Sequence, residues 1–236
     1  MQRHGVRVSI EGVGFSQTPK GFELGRPYSK ELDAFADTYR WAAAQRGIDC
    51  LRLFLQRWSG DHAVVVGSGG SYSAATAISL FRELAHHSPT TASTPLELIS
   101  TLGRISPRVL LLSAEGKNKD ILAAAQASIA ADLSTAAVTL TSSSPLVSLA
   151  ESSAGVRVFS FQMDWVKDGY LATNSLLAIV LLVYRALFGD QDFADGLGPL
   201  FDQKRLAARR EDFAAFQACR RATNIDHLNG VMRVQN

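Results

Sequence analysis

The sequence predicts an α/β protein, a three-layer α-β-α sandwich built on a five-stranded parallel sheet. Residues 63–75, AVVVGSGGSYSAA, pass from a β-branched run into a turn of glycine and serine and then into a helix former. Residues 109–130, VLLLSAEGKNKDILAAAQASIA, repeat that plan. Further short apolar runs at 90–94, 136–141 and 157–161 alternate with helix-forming stretches, the signature of successive βα units with helices covering both faces of a parallel sheet.

The elements follow in chain order. Residues 1–28 are rich in Gly and Pro and read as an arm, with a short strand at VRVSI. A helix is predicted over Ser29–Trp58, where Leu32, Phe35, Ala36, Tyr39 and Ala43 recur at helical spacing. The first strand falls at 63–66, and the other four lie in the runs named above. After the last strand, residues 167–188, KDGYLATNSLLAIVLLVYRALF, read as a turn and a long apolar helix. Thr173, Asn174 and Ser175 are all N-cap types, so one of them is expected to start this helix and leave N–H groups free at its mouth. Residues 29–190 form the expected domain, and 191–236 a helical extension or the start of a second half. From Phe201 to Arg221 the chain reads as a charged helix with a solvated face.

Composition narrows the function. With 236 residues, 47% hydrophobic and 8% aromatic, one core is the expectation. A net charge of +2 is too small to argue for nucleic acid by itself, and no nucleic-acid motif is present. The longest apolar run, LLAIVLLV at 176–183, is far short of the roughly twenty residues that cross a bilayer. The N-terminus carries no signal-peptide apolar core. The two cysteines, Cys50 and Cys219, lack metal spacing and read as small packing residues in a reducing cytoplasm. No cofactor or metal is expected.

The turns carry the chemistry. Gly67, Ser68, Gly69, Gly70 and Ser71 form a strand-to-helix turn in which backbone N–H groups and a helix N-terminus can cradle an anion, and the hydroxyls suit a phosphate or a polyol. A dinucleotide site would need a third glycine where Tyr72 stands, and no Walker Gly-Lys-Ser/Thr ending exists. The second turn holds Ser113, Ala114, Glu115, Gly116, Lys117 and Asn118. Two such units facing the same way bring both turns to the carboxyl edge of the sheet, where open α/β folds bind ligands, so the two are expected to share one.

GSGGSYSAA, LLLSAEGKNKDILAAA and TLTSSSPLVSLAESSAGVRVFSF resemble the sugar isomerase (SIS) domain, whose pattern is a G-x-G-x-S turn, a strand ending S-x-S-G-x-T-x-D, and a strand followed by a Ser-x-Leu-rich helix. The resemblance spans roughly residues 30–190 and implies a flavodoxin-like sheet and a carbohydrate ligand, with the serine-rich second turn holding a sugar phosphate. It implies either aldose-ketose isomerase activity or a non-catalytic sensor or assembly role. It also implies pairing of subunits as a homodimer or larger oligomer, and relatives with two such domains in tandem, of which this chain could be the first half. Ser113, Gly116 and Asp120 match the pattern; Glu115 and Asn118 replace a serine and a threonine that would donate to phosphate. Either Lys117 and Lys119 hold the phosphate with Glu115 turned aside, or the ligand lacks a phosphate and Glu115 accepts its hydroxyls.

Isomerisation needs a base within hydrogen-bond reach of a carbon-bound proton. The candidates are Glu97, Glu115, Lys167 and Asp168. His62 precedes a strand at the far end of the sheet, His86 and His87 sit at a helix C-terminus, and His227 lies in the tail. Glu97, which follows the second strand, reads equally as a first-turn acid favoured by the helix dipole.

Overall fold

The computed structural model describes residues 28–103, 107–163, 168, 172–209 and 211. The arm before Tyr28, Lys167, Cys219 and His227 lie outside the described residues. Five strands, β1 (Ala63–Gly67), β2 (Thr90–Ser93), β3 (Arg108–Leu112), β4 (Thr135–Thr139) and β5 (Val156–Ser160), form one sheet in the order β2-β1-β3-β4-β5. All four pairings are parallel, with Val65 beside Ala92 and Leu110, and Leu111 beside Ala137. Each of the five expected sheet strands is present, its ends within two residues of the expected ones.

Central strands of a parallel sheet are covered on both faces, so each needs apolar side chains in both directions. Val65, Leu110, Leu112, Ala136 and Val138 point into one core layer; Val64, Val66, Val109, Leu111 and Ala137 point into the other. The first layer is closed by α2 (Phe35–Ala44), α3 (Ile48–Gln56), α4 (Gly70–His86) and α8 (Asn174–Phe188), the second by α5 (Pro95–Thr101), α6 (Lys119–Ala130) and α7 (Pro145–Ser152). The buried run at 176–183 is the middle of α8, as its composition requires.

The helix expected over Ser29–Trp58 is instead three: α1 (Tyr28–Asp33), α2 and α3. At Gln45 the backbone turns extended, and Gly47 takes the position before α3. Arg185 of α8 fills the break by donating from Nη1 to the carbonyls of Ala42 and Gln45, both at 2.9 Å. The Ala42 carbonyl also accepts from Gln45 N at 3.4 Å in the last turn of α2. Periodicity survives a break of this kind because α2 and α3 bury the same apolar face, and it therefore concealed the turn.

Past α8 the chain folds back rather than leaving the domain. Phe193 is buried, and Tyr39 of α2 stacks between it and Phe201, with ring centroids 4.9 and 5.0 Å away. Cys50 is exposed on α3, which corrects its assignment as a packing residue. Its neighbours Ile48 and Leu51 take the inward positions of that short helix.

Candidate functional site

The strand order reverses between β1 and β3: β1 leads through α4 to β2 on one side, and β3 lies on the other. In open parallel sheets a crevice forms at the carboxyl ends of the strands at such a switch point. The turn after β1 and the turn after β3 flank it. They touch directly, Asn118 Nδ2 donating to Ser68 Oγ at 3.4 Å.

The first turn is shaped by Gly67. A Cβ there would lie 2.2 Å from the Ser71 carbonyl oxygen, so only glycine lets the first turn of α4 fold back against the end of β1. Gly69 stands at the N-cap of α4 and supplies no side-chain cap, and the first turn of α4 holds no acid. Tyr72 is exposed, and the close helix-to-strand approach is made at Gly67 and Ser71.

The second turn is tied to itself and to α7. Gly116 has φ +62°, and a Cβ on it would meet Ser144 Oγ at 2.2 Å. Its N–H donates to Ser113 Oγ at 3.2 Å, and its carbonyl accepts from Leu146 N at 3.1 Å. Asn118 caps α6, its Oδ1 accepting from Asp120 N at 2.9 Å and Ile121 N at 3.0 Å. Glu115 and Lys117 project to solvent, Oε2 and Nζ 3.5 Å apart, with side chains 72% and 67% exposed.

No family model matches the sequence, and no curated protein matches it. Solved structures do match. Tagatose-6-phosphate ketose/aldose isomerase from Escherichia coli is 17% identical with a TM-score of 0.52, covering 70% of this chain and 49% of its own. The C-terminal domain of glucosamine-fructose-6-phosphate aminotransferase from Francisella tularensis is 18% identical with a TM-score of 0.52, covering 73% and 50%. This chain thus spans about half the length of those two. A protein of E. coli strain CFT073, solved in complex with a ligand, is 14% identical with a TM-score of 0.53, covering 78% of this chain and 97% of its own. The chain has the SIS-type fold.

Within this SIS-type fold the third expected segment is placed differently from the two turns. Thr173 stands before α8 but makes no side-chain cap; its hydroxyl donates to the Glu31 carboxylate. Asn174 is fully buried, Nδ2 donating to the Glu31 carbonyl at 2.9 Å and Oδ1 accepting from Thr38 Oγ1 at 2.7 Å. The cap comes from Asp168, whose carboxylate accepts from Asn174 N at 2.9 Å, from Ser175 N at 3.2 Å and from the Ser175 hydroxyl. The N–H groups expected to be free at the mouth of α8 are therefore taken. A carboxylate six residues upstream outcompeted the local hydroxyls, as a charged acceptor does at a helix N-terminus.

Glu97 sits beyond the end of the edge strand β2 and closes a capping box on α5. Its Oε2 accepts from Thr94 N at 2.8 Å and Thr94 Oγ1 at 3.0 Å, and these bonds, the Thr94 backbone first, hold its carboxyl below its ordinary pKa. A carboxylate so held is a poor proton acceptor. His62 precedes β1 at the other end of the sheet, 3.4 Å from Thr91 Oγ1, and His86 and His87 end α4. Among the described residues the two turns thus bring together Ser68, Ser113, Glu115, Lys117 and Asn118; Glu97 follows β2, which pairs with β1 through Ser93 and Val66, with its carboxylate engaged at the α5 cap, and His62, His86 and His87 lie at the other end of the sheet. Ser144, which caps α7 through Val147 N at 3.3 Å and backs the second turn, was not singled out from sequence; the Ser-Pro start of its helix is the signal that marks it.

Proposed function

We propose that this chain binds a carbohydrate derivative, with a sugar phosphate as the first ligand class, in the crevice between residues 67–71 and 113–118, and acts as a binding module. The observation that supports this reading is the meeting of two strand-turn-helix units at the switch point of the sheet, bridged by Asn118 and Ser68. The positive end of α4, which no side chain caps, the Ser68 and Ser71 hydroxyls and the Lys117 and Lys119 ammonium groups are complementary to a phosphate on a polyol. Tagatose 6-phosphate, named for one structure of the same fold, is a ligand of that class.

A binding role is favoured over isomerisation because the carboxylates of Glu97 and Asp168 are engaged at helix caps and the described histidines lie away from the turns. A second reading, an unphosphorylated sugar whose hydroxyls Glu115 accepts, is favoured by the exposure of that carboxylate.

The test is thermal melting of the protein against pentose 5-phosphates, hexose 6-phosphates and the corresponding free sugars. A ligand that binds only the folded chain raises the midpoint as its concentration passes its dissociation constant. A rise with a sugar phosphate that is lost in Ser68→Ala supports the reading. No rise with any sugar or sugar phosphate at millimolar concentration refutes it.

A further inference from the structure

We propose that Glu115 is an internal competitor for the ligand's phosphate: its carboxylate occupies Lys117 in the free protein and must be displaced before a sugar phosphate can use that ammonium group. The inference rests on the sugar-phosphate reading above and concerns the affinity of the same crevice.

Three features carry it. Glu115 Oε2 lies 3.5 Å from Lys117 Nζ, so the carboxylate stands where a phosphate oxygen would pair with that lysine. The backbone next to Glu115 is fixed: Gly116 is pinned by Ser113 Oγ on its N–H and by Leu146 N on its carbonyl, and the space beside its Cα is filled by Ser144. Finally, the segment from Ser113 to Asp120 carries Glu115 and Asp120 against Lys117 and Lys119, a net charge of zero. A dianion approaching this turn therefore meets no net attraction, whereas removal of the Glu115 charge leaves one positive charge facing it.

The competitor is built to yield. Both partners are largely exposed, and a solvent-exposed pair of this kind is weak. A phosphate with nearly two charges can replace it, at the cost of bringing a second anion close to the displaced carboxylate. Glu115 thereby raises the ligand concentration at which the crevice fills and leaves the shape of the site unchanged. Its effect falls on phosphorylated ligands only, because an uncharged sugar does not compete for the lysine.

The experiment is calorimetric titration of wild type, Glu115→Gln and Lys117→Met with fructose 6-phosphate, arabinose 5-phosphate and the two free sugars, at low salt and at about 0.5 M salt, where exposed charges are screened. Glu115→Gln is expected to tighten sugar-phosphate binding by roughly tenfold at low salt and by much less at high salt. Lys117→Met is expected to weaken sugar-phosphate binding and to erase the gain when combined with Glu115→Gln. If Glu115→Gln leaves sugar-phosphate affinity unchanged or weakens it, Glu115 is not a competitor, while the sugar-phosphate reading stands. If neither protein binds any sugar phosphate, both fall.

Discussion

Asn118 joins the two halves of the crevice to the start of α6: its Nδ2 reaches Ser68 Oγ at 3.4 Å, and its Oδ1 accepts from Asp120 N and Ile121 N. One amide thus closes the gap between the turns and satisfies two backbone donors that a helix N-terminus leaves open. A threonine, which the SIS pattern has at this position, could cap the helix but is too short to offer an amide across the crevice. Asparagine gives up the threonine hydroxyl and gains a latch between the turns.

Asn118→Ala should therefore act on stability as well as on binding. Loss of an N-cap amide costs about 1 kcal/mol, which in a protein of this size lowers the melting temperature by roughly 2–4 °C. Asn118→Thr retains a cap and should recover most of that loss. Melting curves of the two variants side by side check this, and equal destabilisation would mean that the bridge to Ser68 and not the cap carries the effect.

Asp168 and Asn174 divide the start of α8 between them. Asp168→Ala removes a capping acceptor and is expected to cost about 1 kcal/mol. Asn174→Ala is expected to cost more, about 2 kcal/mol, because it removes two buried side-chain hydrogen bonds at once, to the Glu31 carbonyl and from the Thr38 hydroxyl, and leaves a void where a fully buried amide stood. Thr173→Val should also cost stability, about 1.5 kcal/mol or more, since it removes the hydroxyl that donates to the buried Glu31 carboxylate. Denaturant unfolding of the three variants gives the order directly.

His86 supplies a pH dependence at the opposite edge of the sheet. Burial, and then the Arg82 guanidinium one turn earlier on α4, push its pKa below the ordinary 6.5. Arg82 is itself buried at 1% exposure, donating to Thr90 Oγ1 at 2.8 Å and to the carbonyls of Trp58 and Asp61. The unfolded chain protonates this histidine near pH 6.5 while the folded chain resists, so the unfolded state holds more protons in that window. Stability should fall as pH drops below about 6.5 and level off below the folded pKa. His86→Gln should flatten the slope that begins as pH falls through about 6.5. An unchanged slope would assign the pH dependence to other groups.

The sheet was legible because a parallel strand buried on both faces must be a short continuous apolar run, and Ala63–Val66 and Val109–Leu112 are such runs bounded by turn residues. Both crevice turns were legible for the same reason: glycine and serine directly after a strand have little else to do. Long-range pairing was not. Nothing in the order of residues says that Arg185 will cap α2 or that Asp168 will reach Ser175 from outside the helix, because those bonds are chosen by packing. Thr94 and Glu97 are the intermediate case. Their T-x-x-E spacing is a local capping signal, and it stood beside the competing reading of Glu97 as a base at the sugar.

Glu97 allows that competition to be decided. Its carboxylate accepts from Thr94 N, from Thr94 Oγ1 and, at 3.4 Å, from Ser93 Oγ, and so is engaged in the capping box that follows the edge strand. Because the folded state holds this carboxyl below its ordinary value of 4.5, its stabilising contribution is present above that pH and is lost as pH falls through the folded pKa. Glu97→Gln keeps an acceptor for the Thr94 N–H and removes the charge. It should lower the melting temperature slightly at about pH 7, lose that difference as pH falls through the folded pKa, and leave sugar-phosphate affinity within about twofold of wild type, a change too small to represent a lost charged contact. Glu97→Ala, which removes the acceptor as well, should be the less stable of the two. A roughly tenfold loss of sugar-phosphate affinity in Glu97→Gln without a change in melting would instead put this carboxylate on the ligand.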